Sequence, residues 1–452
     1  MINKIRGYAL WFASSGPSGG PDFKNLDKWI DLLFTKGRFC ILQNMFVKLF
    51  KSLAPGRAAG GHELKIKHSY GKICLIVAMT AMISACSGSD NPAENRAKTA
   101  LKSTGDILIG AASPWSEKRN LLWEGISMAV EEINQGGGLL NGRDIRIVKG
   151  DDNSDLTTGQ MVAQSFADNE DIVAVLGHSS SYVSIPVSIM YQYYGIVMVS
   201  PLSTGYKLTT QGYPNIFRNI PSDRIFGVKL AEFCNQMGFK NILIYQINDD
   251  YGRGLSNAFE INALSNGLTV LDRSSYDDLS TARNFRDEIQ FWKENYRFDA
   301  IFLAGVMPKA AEFIVEARKM GVKVPIIGGD ALDHPMLLKI AGDAAENVYA
   351  GSVFHPDFDY PSMRNFLEKF RKTYAKEPDI AATQGYEAMM IIAEGIRKAG
   401  NTVPGDIAKA LHTISSFQGL TGEFSFDENG DVLGKPLIMK VVKDGKFVLL
   451  TR

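Results

Sequence analysis

The chain has 452 residues, 45% apolar, 22% charged and 10% aromatic, which excludes disorder and a membrane bundle and leaves room for two or three domains at about 150 residues each. Its 49 Lys and Arg balance 49 Asp and Glu, so the bulk charge carries no footprint for nucleic acid. Four cysteines rule out a disulfide scaffold, and six scattered histidines argue against a His-rich metal site.

The first marked element is the apolar run Ile73 to Ile83, preceded by Lys65, Lys67 and Lys72. It is too short to span a bilayer as a mature helix and reads as the hydrophobic region of a signal peptide. Residues 1 to about 63 show no domain of their own, and an n-region of about 70 residues is far longer than a secretory signal takes, so translation is expected to start downstream of Met1. Ile83-Ser84-Ala85-Cys86 resembles the bacterial lipobox, which implies that Cys86 is acylated and becomes the first mature residue. The three acyl chains implied by that resemblance hold a protein more firmly than one. Residues 1–85 are thus a leader with 12 Lys and Arg against 4 Asp and Glu, leaving 37 basic and 45 acidic residues from Cys86 onward, a formal charge of −8. The polar stretch after Cys86 is expected to tether lipid to fold over 86–104.

From Asp106 short apolar strands alternate with amphipathic stretches, which argues for parallel sheets covered by helices. The spacing predicts strands over 106–110, 145–148, 172–176 and 196–199, with helices over 121–133, 158–166 and 183–194 between them. Past Arg218 the theme restarts, with strands over 242–245, 268–271, 300–303 and 325–327 and helices over 254–264, 285–292 and 311–320. The tail adds helices over 363–374 and 385–399 and a β-rich end from Phe417 to Leu450, which is expected to cross back between lobes. The predicted fold is α/β, with two doubly wound parallel-sheet lobes joined by a three-segment hinge. The first lobe is expected over 105–221 and 351–428, the second over 222–350 and 429–452.

Catalytic motifs are not supported. No phosphate-binding Gly-x-x-x-x-Gly-Lys-Ser/Thr occurs, and Gly136 to Gly142 follows a helix and reads as a turn. Gly177-His-Ser-Ser-Ser181 lacks the second glycine of a nucleophile elbow, and His178 reads as structural. Asp151-Asp152 has no third oxygen cluster beside it for a metal and reads as solvated or hinge-forming. We expect no enzyme, cofactor or metal.

What the residues suggest is binding. Gly177 to Tyr182 joins a buried strand to a helix start, where hydroxyls and free N–H groups suit a carboxylate, and Ser200-Pro-Leu-Ser-Thr204 presents a second such strand end. In the other lobe Ile326-Ile-Gly-Gly-Asp330 ends a strand in an acid able to meet a cation. That is the polarity of an α-amino acid.

Val175-Leu-Gly-His178 with Ser181, Ser200-Pro201 through Thr204, Leu208-Thr209 with Gly212-Tyr213, Asp250-Tyr-Gly252 and Ala341 to Glu346, in this order, resemble the branched-chain amino-acid-binding proteins of bacterial ABC importers, of the type I periplasmic binding protein class. The resemblance covers about Gly105 to the C-terminus. It implies a Venus-flytrap that closes on a solute and delivers it to an ABC permease, as an extracytoplasmic, lipid-anchored monomer. Residue by residue, it implies Ser181 and the Leu202 backbone N–H for the ligand carboxylate, Thr204 for carboxylate and amine, Asp330 for the ammonium in place of a glutamate, and Tyr251 as a cover from the second lobe. Val306 stands where the family often has a tyrosine, and Trp115 is expected to line the side-chain pocket. Ser154 and Ser180 stand where branched-chain binders have disulfide cysteines, so that bridge is absent. The altered walls leave other solutes open: a small amide, urea or an aromatic acid. A sensory subunit of a signalling system would use the same trap.

Overall fold

The computed structural model describes residues 91–117, 120–358 and 360–450; the leader and Cys86 lie outside them. Helix α1 (Pro92–Lys102) is followed by β1 (Ile107–Ser113), α2 (Leu122–Gln135), β2 (Ile145–Asp151), α3 (Leu156–Asp168), β3 (Ile172–Leu176), α4 (Ser181–Tyr194), β4 (Val197–Ser200) and β5 (Ile216–Arg218). A second succession follows: α5 (Asp223–Gln236), β6 (Asn241–Ile247), α6 (Asp250–Ser265), β7 (Thr269–Tyr276), α7 (Ala282–Asn295), β8 (Ala300–Ala304), α8 (Lys309–Lys319), β9 (Ile326–Gly328), α9 (Pro335–Ala341) and β10 (Val348–Ser352). The tail comprises α10 (Pro361–Tyr374), α11 (Ile380–Ala399), α12 (Pro404–His412), β11 (Phe417–Gly419), β12 (Gly422–Phe426), β13 (Val432–Leu433), β14 (Ile438–Lys443) and β15 (Lys446–Leu449).

Strand β3, Ile-Val-Ala-Val-Leu, is buried at every position, as a parallel strand with helices on both faces must be. Helix starts are fixed by acids: Asp155, Asp249 and Asp379 accept N–H groups of the first turns of α3, α6 and α11. Against α2, helix α11 packs so closely that a Cβ on Gly125 would lie 1.9 Å from the Ala382 carbonyl oxygen.

The first sheet has the order β2-β1-β3-β4-β5 and is parallel throughout. The second has the order β15-β14-β10-β9-β8-β6-β7, parallel from β7 to β10, with β14 and β15 added antiparallel at the β10 edge. Strand order reverses between β1 and β3 in one sheet and between β6 and β8 in the other, and the crevices beyond the carboxyl ends of such strands collect ligands.

The chain passes between the two lobes after β5, after β10 and between β13 and β14, the small antiparallel sheet β11-β12-β13 packing on the first-lobe core. Two of these passages are latched to α11 by buried polar groups. Lys435 Nζ donates to the Asn219 carbonyl (2.8 Å), to Gln384 Oε1 (2.7 Å) and to the Glu387 carboxylate, while Asn219 Nδ2 donates to the Gln384 carbonyl (3.0 Å).

Three details depart from the sequence expectation. Most of the expected tether is helix α1, fastened by buried Arg96, whose guanidinium donates to the carbonyls of Tyr194, Asn169, Ile172 and Ala167 at 2.6–3.0 Å. The Ala167, Asn169 and Tyr194 carbonyls lie where α3 and α4 end and that of Ile172 opens β3, and the arginine fork satisfies them at once. Helix α5 fills the interval between β5 and β6, for which no helix was expected. Finally, β13 pairs with β12, and Val432 joins the apolar core of the first lobe, so the third passage follows Leu433 rather than residue 428.

Candidate ligand-binding site

Every expected site residue in the described chain follows the carboxyl end of a strand: Trp115 follows β1, Ser181 β3, Leu202 and Thr204 β4, Tyr251 β6, Val306 β8 and Asp330 β9. The lobes meet over them. Lys207 pairs with Asp250 (3.3 Å), Arg224 lies over the Tyr206 ring, and the Asp223 N–H donates to the Thr204 carbonyl (2.8 Å).

On the first lobe the site is a rigid bed of hydroxyls. Ser181 is the first residue of α4, and its Oγ accepts the Gly205 N–H (3.0 Å), tying the β3 end to the β4 end. Beneath it the His178 carbonyl accepts from Ser184, Ser200 and Ser203, each at 3.0 Å. The His178 ring is locked from behind, Nδ1 to Asp152 (2.6 Å) and Nε2 to Tyr191 Oη (2.9 Å). With both nitrogens engaged this way, the imidazole is structural, as its position suggested, and is not directed at a serine. Asp152 is corrected: it is a buried partner of His178 rather than a solvated or hinge residue. Leu202 is half-buried in the turn and packs on the first-lobe core.

On the second lobe the surroundings are acidic. Asp330 is 9% exposed and Tyr251 6%, and Thr204 of the first lobe 1%. Tyr251 Oη lies 3.0 Å from where a Gly329 Cβ would stand, so the glycine before Asp330 leaves room for the phenol. Asp223 joins this group. It is fully buried at the first turn of α5, its Oδ2 lies 2.8 Å from where a Gly254 Cβ would be, and its carboxyl is beside the Thr204 hydroxyl and within electrostatic reach of Asp330. Tyr251 Oη, Ser256 Oγ and Asp330 Oδ1 are buried without a hydrogen-bond partner, and Thr204 Oγ1 and the Asp223 carboxyl have none beyond each other. Burial pushes the Asp330 carboxyl up to about 7, with Asp333 adding to it. Asp223 is raised well above the ordinary range, chiefly by burial, with Asp330 adding and Thr204 and Arg218 opposing. Burial also lifts Asp249 to about 6, against the pull of the Gly252 N–H.

Two expected residues sit differently. The Trp115 Nε1 donates to the Gly150 carbonyl (2.9 Å) and its ring meets Trp123 edge-on and Lys149, so its contacts run to β2 and α2 rather than to the Asp330 group. Val306 is partly buried, and its N–H donates to Tyr276 Oη (3.3 Å), so a tyrosine hydroxyl reaches this turn from β7 although position 306 itself lacks one. Asp223 and Tyr276 were missed by sequence reasoning. Among the described residues no helix is long and apolar enough to cross a membrane.

A family model described as periplasmic binding protein matches residues 110–446. A Leu/Ile/Val-binding protein homolog of Brucella suis is 30% identical over 335 residues, covering 72% of this chain and 87% of its own. An ABC transporter substrate-binding protein of Desulfitobacterium hafniense, solved in complex with Leu, is 37% identical with a TM-score of 0.69, covering 76% of this chain and all of its own. The branched-chain amino acid transporter substrate-binding protein LivJ of Streptococcus pneumoniae, solved in complex with isoleucine, is 25% identical with a TM-score of 0.69, covering 76% and 97%.

Proposed function

The chain belongs to the periplasmic binding protein family, and on that premise we propose that it captures an α-amino acid between its lobes outside the cytoplasm and hands it to an ABC permease. The observation that carries this reading is the opposed polarity of the two faces: a hydroxyl-lined helix start at Ser181 and Thr204 against an acidic wall at Asp330. The relatives solved with leucine and isoleucine support the same ligand class.

In this reading the carboxylate docks first, on Ser181, the Thr204 hydroxyl and the positive end of α4, because Ser181 is already held by the Gly205 N–H and the two strand ends are tied together by the bonds to the His178 carbonyl. The ammonium then meets Asp330 when the second lobe swings in, and Tyr251 covers it. Closure follows because only the closed form adds those contacts, and a ligand shifts an equilibrium only through differential affinity. We further propose that acylated Cys86 anchors the chain to a membrane, with α1 ordered on the first lobe.

The test is a thermal-shift panel, followed by calorimetry, across free amino acids, their des-amino acids and small amides. Amino acids are expected to stabilise and the others not. Stabilisation by des-amino acids alone would show that Asp330 receives no ammonium.

A further inference from the structure

We propose that the outer face of α4, with Met161 of the neighbouring α3, is a lipid-contact surface that seats the first lobe on the membrane carrying Cys86; this rests on the acylation of Cys86 proposed above.

Helix α4, Ser-Tyr-Val-Ser-Ile-Pro-Val-Ser-Ile-Met-Tyr-Gln-Tyr-Tyr, holds no charged residue, and neither does α3 before Asp168, in a chain that is 22% charged. A helix that is apolar on all sides is ordinarily covered on all sides. Val183, Val187 and Tyr191 of α4 are buried in the core it shares with α3. On the opposite side Tyr182 is 40% exposed, Ile189 51% and Tyr193 62%, and steps of seven and four place the three on one stripe. Met161 on α3 is 60% exposed. Gln164, one turn further along α3, donates to Tyr194 Oη (3.3 Å), which puts the Met161 side of α3 next to the end of α4. Single exposed apolar side chains need no explanation, but an apolar face without charges does. Ile261 and Leu264 on α6, by contrast, share their helix with Arg253 and Glu260.

What covers this face is decided by where the chain leaves the fold. Ser87 to Asp90 separate Cys86 from Asn91, and five extended residues reach at most about 18 Å. Asn91 caps α1, and the start of α1 rests on the end of α4: a Cβ on Gly195, the residue closing α4, would lie 2.6 Å from Ala93 Cβ, and Arg96 donates to the Tyr194 carbonyl (3.0 Å). The tether therefore departs beside Tyr193, whose ring meets that of Tyr194 edge-on at 5.1 Å. Tyrosine, with an apolar ring and a polar tip, suits the boundary between head groups and water. The face offers no Lys or Arg, and Asp168 and Glu170 stand at its border, so the attraction is apolar and gains nothing from anionic lipid. A few such side chains are too weak to hold a free protein on a bilayer, but a short tether keeps them at an effective concentration on the order of millimolar. Ser181 opens the same helix about 20 Å from Tyr194, so the contact sets the height of the ligand site above the lipid.

The test uses the acylated protein in phosphatidylcholine vesicles, with a nitroxide attached to Ile189→Cys or Tyr193→Cys and, as reference, to Leu264→Cys, a position 82% exposed on the second lobe. Acylation occupies Cys86, and Cys234 is fully buried with its thiol pushed up to about 12, so the label reacts at the introduced position. All three positions are exposed, and melting temperatures matching the unaltered protein show that the lobes are intact. Power saturation is expected to give the labels at 189 and 193 an oxygen-to-nickel-chelate accessibility ratio at least tenfold that at 264, unchanged by raising the salt. Ratios equal to that at 264 overturn the proposal, as does a lipid signal that salt abolishes. Dipolar broadening between labels at 189 in place of lipid access places a second copy on this face and likewise overturns it. If the protein does not reach the vesicles at all, the anchor fails and this contact with it; if it is membrane-bound with water-exposed labels, the contact alone fails.

Discussion

Acidification is expected to close the unliganded protein. In water an aspartate titrates near 3.8, whereas Asp330 covered by both lobes is pushed up to about 7. At 1.36 kcal/mol per tenfold, closing the lobes on an ionised Asp330 at neutral pH costs about 4 kcal/mol relative to closing them on the protonated form. Asp223 on α5, raised by burial in the same way, and Asp249 at the head of α6, lifted to about 6, act in the same direction. Asp333 adds to Asp330 from its own turn, and Arg218 on β5 opposes only at Asp223. Because these carboxyls hold their protons more tightly in the closed form, unliganded closure is favoured below the ordinary aspartate range and is lost as pH rises through about 7. Small-angle scattering of ligand-free protein is expected to show a radius of gyration that falls between pH 8 and pH 5. Asp330→Asn removes about 4 kcal/mol of opposition, roughly a thousandfold in the closed-to-open ratio, and is expected to be compact already at pH 8. A variant whose scattering profile tracks that of wild type across the whole range would refute the argument.

Two further outcomes follow from particular contacts and a third from the sequence at Cys86. Lys435→Met leaves Glu387 buried at the hinge latch with the Leu420 N–H but no counter-charge, and is expected to cost about 3–5 kcal/mol and to lower the melting temperature by roughly 5–10 °C in scanning calorimetry. Arg96→Ala releases four carbonyls at once, so hydrogen exchange is expected to speed up at least tenfold over Pro92–Lys102 while β3 amides keep their protection. Cys86→Ala is expected to move the protein from membrane to soluble fractions, and continued membrane association would count against acylation at that residue.

The sheets were legible because parallel strands buried on both faces leave continuous apolar runs, such as Ile172 to Leu176, whatever surrounds them. The hydroxyl face of the site was legible for a local reason: Ser181 and Ser200 to Thr204 lie where strands end, and such ends point at the crevice. Helix α5 carries its own apolar spacing at Phe226, Leu230 and Phe233, but no strand-to-helix glycine signal announces it. The segment after Cys86 is polar, and its composition suits a tether; only the pocket of carbonyls formed by α3 and α4, far away in sequence, makes Arg96 an anchor.

Asp223 shows the limit most clearly. Pro-Ser-Asp reads locally as a helix start, and every local rule is content with it. Its unusual state is created by Thr204, Gly254 and Asp330, which the fold brings from three other elements. The two halves of the site are therefore built on different terms. The serine bed of the hydroxyl half is satisfied before any ligand arrives, through the His178 carbonyl and the Asp152–His178–Tyr191 chain behind it. The acidic half is not, and closing it without a cation leaves the Asp223 and Asp330 carboxyls buried with no counter-charge against them. A des-amino acid can occupy the first half but cannot relieve the second, so discrimination arises at closure rather than at first contact. That division lets a trap with an adaptable side-chain pocket remain strict about the zwitterion it holds.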